Sequence, residues 1–139
     1  MKMPDRIETN MLAPCGIDCT VCYAHVGMRK SGQCPGCMQD GAGKPNHCEK
    51  CRIKACVGEK GLTHCYSCPD FPCKLIKSLE RSYNKRYNVS LVANSEAARE
   101  DGAEAFLERD RARWTCRDCG GAFSLHDNVC SDCGGKTRG

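Results

Sequence analysis

Apolar side chains fall at Leu75, Ile76, Leu79, Tyr83 and Tyr87, mostly four residues apart, with Lys and Arg filling the positions between them. That spacing puts the apolar groups on one face of a helix and predicts a helix over about 74–87. Asn88 to Val92 reads Asn-Val-Ser-Leu-Val, a β-branched interruption expected to end it. Asn94 or Ser95 is a suitable cap for a second helix over about 95–113. Inside that helix Gly102 costs about 1 kcal/mol against Ala, so a kink or break is expected there. Phe106, Leu107 and Trp114 then face the rest of the chain as anchors.

Outside 74–113 no such periodicity holds. Residues 1–14 read as a short leader with scattered charges. They contain no apolar run of seven residues, so no secretory signal is expected. No segment approaches the roughly 18 apolar residues of a membrane span. Residues 15–73 are punctuated by Gly, Pro and Lys, so regular structure there should be short, in knuckles and turns.

Composition explains what replaces a core. Leu, Ile, Val and Phe together number twenty of 139 residues, about 14%, whereas Cys alone numbers 15. Below roughly 20% of those four types the apolar supply is thin, and small domains of that kind are held by disulfides or metals. Without a secretory signal the expected compartment is the cytoplasm, where thiols stay reduced. An odd number of Cys also fits disulfide pairing poorly. Metal coordination is therefore the expected role of the set.

The most specific motif is Cys116-Arg-Asp-Cys119-Gly-Gly, followed after ten residues from Cys119 by Cys130-Ser-Asp-Cys133-Gly-Gly. Each Cys-x-x-Cys sets two sulfurs on a tight turn, and the following Gly lets backbone N–H groups point at them. Two facing knuckles make a tetrahedral zinc site with four cysteine ligands. The residues between them suit a short hairpin with Asp127-Asn128 in its turn, so 114–139 is expected to be a zinc ribbon. His126 reads as a surface residue within it.

Upstream lie Cys15, Cys19, Cys22, Cys34, Cys37, Cys48, Cys51, Cys56, Cys65, Cys68 and Cys73. Cys48-x2-Cys51-x4-Cys56 is repeated as Cys65-x2-Cys68-x4-Cys73, a pattern fit for two facing halves of a metal site. Three or four zinc ions per chain are expected. Fifteen Cys need one His to complete four tetrahedral sites, with His47 and His64 the candidates and His25 behind them; two upstream sites with spare or bridging thiolates fit the spacing equally.

These motifs carry a resemblance. Cys15-Gly-Ile-Asp-Cys19-Thr-Val-Cys22-Tyr23, Cys34-Pro-Gly-Cys37, Cys51-Arg-Ile-Lys-Ala-Cys56 and Cys65-Tyr-Ser-Cys68-Pro-Asp-Phe-Pro-Cys73 resemble a bacterial and archaeal cysteine-rich family, domain of unknown function 3795. The Leu91 to Leu107 stretch is similar to that family's helical tail. The resemblance implies a small zinc-binding protein over 12–113 and supplies no activity. A terminal ribbon is similar to some members as well.

Rival chemistries rank behind zinc. Cys15-x3-Cys19-x2-Cys22 has the spacing of radical enzymes that use S-adenosylmethionine, but those need a barrel far longer than this segment. The ferredoxin run Cys-x2-Cys-x2-Cys-x3-Cys-Pro is missing, which places an iron–sulfur or thiol redox protein second. A nucleic-acid-binding zinc protein is the third reading. Lys44, Lys50, Arg52, Lys54 and Lys60 form one basic stretch and Arg109, Arg111, Arg113 and Arg117 another, but one Trp, four Tyr and three Phe leave little to stack on bases. Metal-bound Cys is thiolate. Fifteen thiolates remove fifteen charges and four divalent ions return eight, which takes the formal +4 to −3. Lys and Arg then balance sulfur, and a protein partner is expected in preference to nucleic acid or membrane. No nucleophile–base pair, phosphate loop or open His-rich metal site of catalytic type is present in the sequence. The expected fold is small α+β, metal-stapled and loop-rich: a Cys-knuckle N-terminal part, two or three helices, and a C-terminal β-hairpin zinc ribbon.

Overall fold

The computed structural model describes residues 1–27, 33–38 and 51–136. Four α-helices and one two-stranded hairpin occur among them: α1 Arg52–Glu59, α2 Lys74–Tyr87, α3 Leu91–Asp101, α4 Ala103–Trp114, β1 Phe123–Ser124 and β2 Val129–Cys130. Single 3-10 turns stand at Thr9–Met11, Cys19–Val21 and Cys65–Ser67. No helix among the described residues is long and apolar enough to cross a membrane.

Helix α2 has the expected limits. It stops where Asn88 adopts φ 54°, a left-handed conformation that Asn tolerates, and the Asn88 N–H closes on the Asn84 carbonyl at 3.2 Å. The second helix begins earlier than expected. Ser90, not Asn94 or Ser95, is its cap: the Ser90 side chain accepts from the Ala93 N–H at 3.0 Å. Burial of Val89 and Leu91 fixes that entry and overrides the β-branched signal. Asn94 instead donates from Nδ2 to the Gly16 carbonyl at 3.1 Å, and Ser95 is fully buried. Gly102, at φ 92°, breaks the helical run, so α3 and α4 are separate and pack against each other.

Two elements were not expected. Helix α1 lies inside the cysteine-rich segment. Arg-Ile-Lys-Ala-Cys-Val holds no Gly or Pro and buries Val57 on one face, enough for two turns. The first residues pair with the hairpin: the Ala122 N–H donates to the Met1 carbonyl at 2.8 Å and the Met3 N–H to the Gly120 carbonyl at 3.0 Å. Lys2 pairs antiparallel with Gly121 and reaches Asp132 at 2.6 Å. Met3, Ile7, Leu12 and Ala13 are buried.

One buried cluster joins these parts: Leu12, Val21, Ile76, Leu91, Leu107, Trp114 and Phe123 all belong to it. The hairpin contributes Ala122, Phe123 and Leu125, and the Leu125 N–H donates to the Val21 carbonyl at 2.9 Å. The Cys15–Cys19 loop meets α3 so closely that a Cβ on Gly16 would lie 2.6 Å from both the Leu91 carbonyl oxygen and Ser95 Oγ. Gly16 also sits at φ 101°.

Two carboxyls are buried in this core, Asp18 at 2% and Asp110 at 5% exposure. Asp18 accepts from the Thr20 N–H at 3.0 Å. Burial first, and then the facing Asp110 carboxyl, holds the Asp18 carboxyl well above its ordinary 3.8, so the pair retains a proton.

Two outcomes follow from this packing. Gly16→Ala combines a disallowed φ with overpacking against backbone, and should lower stability by about 2–4 kcal/mol in denaturant unfolding. The Asp18–Asp110 pair stabilises fully below pH 3.8, and that contribution is lost as pH rises through the raised folded value. Asp110→Asn removes the repulsion, so the variant should be more stable than the native chain by roughly 1–2 kcal/mol at slightly alkaline pH. The gap should close as pH falls toward 3.8; a pH-independent difference would show that the carboxyls do not share a proton.

Candidate metal centres

The C-terminal centre is built by two matching turns. In each, the glycine after the second Cys is left-handed, Gly120 at φ 75° and Gly134 at φ 74°. The Gly120 N–H donates to the Cys116 carbonyl at 2.9 Å and the Gly134 N–H to the Cys130 carbonyl at 3.0 Å, which closes both turns. The Gly121 N–H then points at Cys119 Sγ at 3.3 Å and the Asp132 N–H at Cys130 Sγ at 3.4 Å. A side chain at 121 would strike Asp132 and Cys130 Sγ at 2.6 and 2.7 Å, so only glycine lets the two turns face each other. Phe123 opposite Cys130 sets the register of the hairpin beneath them, and Asn128 at φ 55° makes its turn as expected.

Four sulfurs converge as a result. Those of Cys116, Cys119, Cys130 and Cys133 all lie within 4.8 Å of one another. Cys116 and Cys133 stand 3.8 Å apart, Cys119 and Cys130 3.4 Å. Without a cation such a group cannot ionise freely. Burial alone would push the Cys130 thiol up, but the backbone N–H groups of Cys133 and Asp132 bring it down to about 7. Cys119, first by desolvation and then by its sulfur neighbours, is pushed up to about 12. The donor set suits one soft or borderline divalent ion in a closed tetrahedral site.

The upstream cysteines form two further sets. All fourteen described cysteines are thiols, with no disulfide among them. Cys15, Cys19, Cys22, Cys37 and Cys51 surround one cavity; Cys56, Cys65, Cys68 and Cys73 surround another. Helix α1 divides them: Cys51 caps its N-terminus and Cys56 lies one turn further on. The two repeats therefore do not face each other as intact halves, because Cys51 and Cys56 line different cavities. In the first set the Cys37 N–H donates to Cys19 Sγ at 3.3 Å. In the second, Lys60 Nζ lies 3.3 Å from Cys68 Sγ and 3.6 Å from Asp70. Burial, then Cys73 and Cys56, pushes the Cys65 thiol up to about 12. Cys34 is buried and lines neither cavity. Cys48 and His47 lie outside the described residues.

The described histidines are engaged with other groups. His64 Nε2 is 3.0 Å from the Leu12 carbonyl and Nδ1 is 3.1 Å from Thr63 Oγ1. His25 Nδ1 is 2.6 Å from the Cys34 carbonyl. His126 is no mere surface residue. Its Nδ1 accepts from the Tyr23 N–H at 3.3 Å, its Nε2 lies 2.8 Å from the Tyr83 hydroxyl, and the rings of Tyr23, Tyr83 and Tyr87 pack edge-on around it at 4.9–5.5 Å. With Nδ1 the acceptor, the proton sits on Nε2 and is donated to Tyr83. A histidine in a hairpin gives no sequence signal of that hub. Asp110 did give one: it falls on the apolar face shared by Phe106, Leu107 and Trp114.

No curated protein and no solved structure matches the chain. Residues 11–78 match the family model described as a protein of unknown function, DUF3795. What this chain has in common with that family is thus the segment carrying the knuckles from Cys15 to Cys73, while the C-terminal hairpin stands outside the match.

Proposed function

We propose that this protein is a cytoplasmic member of the DUF3795 family in which metal ions replace much of the missing apolar core, and that its C-terminal hairpin is a zinc ribbon holding one zinc. The metal-stapled body would then present its surface to a protein partner. One observation carries the zinc reading. A tetrahedral ion with Zn–S bonds of about 2.3 Å needs its sulfurs about 3.8 Å apart, and the Cys116–Cys133 and Cys119–Cys130 pairs stand at 3.8 and 3.4 Å. Sulfur-only ligation with no open position is the pattern of structural and not catalytic zinc.

The energetic logic supports the same reading. Structural zinc contributes an apparent ~10–16 kcal/mol to folding in small modules at neutral pH. Twenty Leu, Ile, Val and Phe residues in 139 leave room for a contribution of that size. Trp114, the single tryptophan, is buried at 3% exposure two residues before Cys116, with the Arg113 guanidinium over its ring at 5.1 Å. It is a built-in reporter of ribbon integrity.

The full-length chain purified without added metal should therefore carry zinc. Cys116→Ser should remove one zinc per chain and shift Trp114 emission to the red. Zinc-free native protein, or a variant with unchanged zinc content, would overturn the ribbon assignment.

A further inference from the structure

The upstream cavity bounded by Cys15, Cys19, Cys22, Cys37 and Cys51 is the wrong size for a single ion. Its volume is about 140 Å³. The neighbouring cavity bounded by Cys56, Cys65, Cys68 and Cys73 measures about 20 Å³. A void needs roughly 10–15 Å³ to hold one water-sized sphere. The smaller cavity therefore has room for one ion, and the larger has room for several times that.

Sulfur spacing sets both upstream groups apart from the hairpin. Among the described residues, only the four hairpin cysteines bring three or more sulfurs within 4.8 Å of one another. The five upstream sulfurs therefore do not close on one point, as ligands about 3.8 Å apart around one tetrahedral zinc would. They are arranged around a space. The smaller set is not drawn together either, so volume is what separates the two cavities.

The chemistry of the walls narrows what fills that space. The walls between the thiols are mostly apolar, with Ala13, Ile17 and Leu79 among them; Lys54, Tyr23 and Tyr83 line it as well, and among the described residues no carboxylate does. His126 reaches its edge, but Nδ1 accepts from the Tyr23 N–H and Nε2 donates to Tyr83. The metal donors that the described residues offer are the sulfurs. A pair of bare zinc ions bridged by these thiolates would add almost no volume of its own. An occupant that brings its own bridging atoms fills the cavity, and thiolate-held clusters of iron with inorganic sulfide are that class of cofactor. The Cys37 N–H aimed at Cys19 Sγ is a hydrogen bond of the kind that stabilises a cluster-bound thiolate.

We propose that this cavity holds an iron–sulfur cluster ligated by four of the five cysteines Cys15, Cys19, Cys22, Cys37 and Cys51. The inference goes beyond the zinc ribbon and does not depend on it. A preassembled cluster enters with its iron and sulfide in place. It arrives on four donor thiolates: four Fe–S bonds to the donor break as four Fe–S(Cys) bonds form, and each proton given up by a ligating thiol goes to a departing donor thiolate, so insertion transfers no electron.

The test uses the full-length chain, produced in iron-replete cells and purified without oxygen. Iron and acid-labile sulfide are measured beside zinc, together with visible charge-transfer absorption. Iron and sulfide should be present in equal amounts, with a brown colour. The double variant Cys19→Ala/Cys22→Ala, which leaves only three of the five sulfurs, should lose both and keep the ribbon zinc, whereas Cys68→Ala, in the smaller cavity, should keep the iron. Protein with ribbon zinc but no labile sulfide, before and after oxygen-free incubation with ferric iron, dithiothreitol and sulfide, would overturn the cluster and leave the ribbon standing. Sulfide and iron without zinc would do the reverse. Because the native chain alone decides presence or absence, a variant that fails to fold does not suspend the result.

Discussion

Four sulfurs held within 4.8 Å of one another, two pairs of them at 3.4 and 3.8 Å, are a cost without a cation to join them, and the C-terminal hairpin is arranged around that fact. As thiols they compete for protons, with Cys130 brought down to about 7 and Cys119 pushed up to about 12. As thiolates they repel. Two glycine turns nevertheless hold them in place, with N–H groups aimed at Cys119 and Cys130. Everything adjacent leans on that geometry: Met1 to Met3 pair along Gly120–Ala122, Trp114 is buried just before Cys116, and Phe123 pairs with Cys130 across the hairpin. The charge of a divalent ion bound there would turn such a cluster into a staple.

The parts of this structure written in local chemistry were legible in the sequence. The four-residue spacing from Leu75 to Tyr87 marked helix α2, Gly102 marked a break, and Cys-x-x-Cys-Gly-Gly specified the paired turns together with the Asn128 turn between them. Features set by distant contacts were not. Ser90 caps α3 because Val89 and Leu91 are buried against other elements, which a string of β-branched residues does not announce. Residues 1–3 form an edge on the hairpin about 120 residues away, a pairing that no local pattern encodes. His126 becomes a hub only because α2 brings Tyr83 and Tyr87 beside Tyr23.

The division of the upstream cysteines shows the same limit more sharply. In sequence, Cys48-x2-Cys51-x4-Cys56 looks like one half-site. In the fold, α1 starts at Arg52, so Cys51 stays in extended backbone while Cys56 is carried round a helical turn. Five residues of spacing thus separate two cavities instead of closing one. The repeat was real as a pattern, but the helix inside it decides which sulfurs meet. That helix depended on a weak signal, two turns with one buried Val, in a segment punctuated by Gly and Pro.

The C-terminal hairpin and the N-terminal knuckle are also bound to each other at the cysteine-bearing turns. The Leu125 N–H bonds to the Val21 carbonyl, between Cys19 and Cys22 in sequence, and His126, the next residue, reaches the edge of the five-cysteine cavity through Tyr23 and Tyr83. On the other side of that loop, Gly16 is pinned beneath α3 and Asp18 is buried against Asp110 of α4. An occupant of either centre stabilises only the folded form of its own turns, and those turns share a core and direct hydrogen bonds. Ligands that each bind the folded state alone raise one another's apparent affinity through folding. The two centres are separate in their ligands, and an ion or cluster bound at either would stabilise a core that the other shares. In a chain whose aliphatic supply is this thin, metal bound on either side of one hydrogen-bonded seam would do the joining that a larger core performs elsewhere.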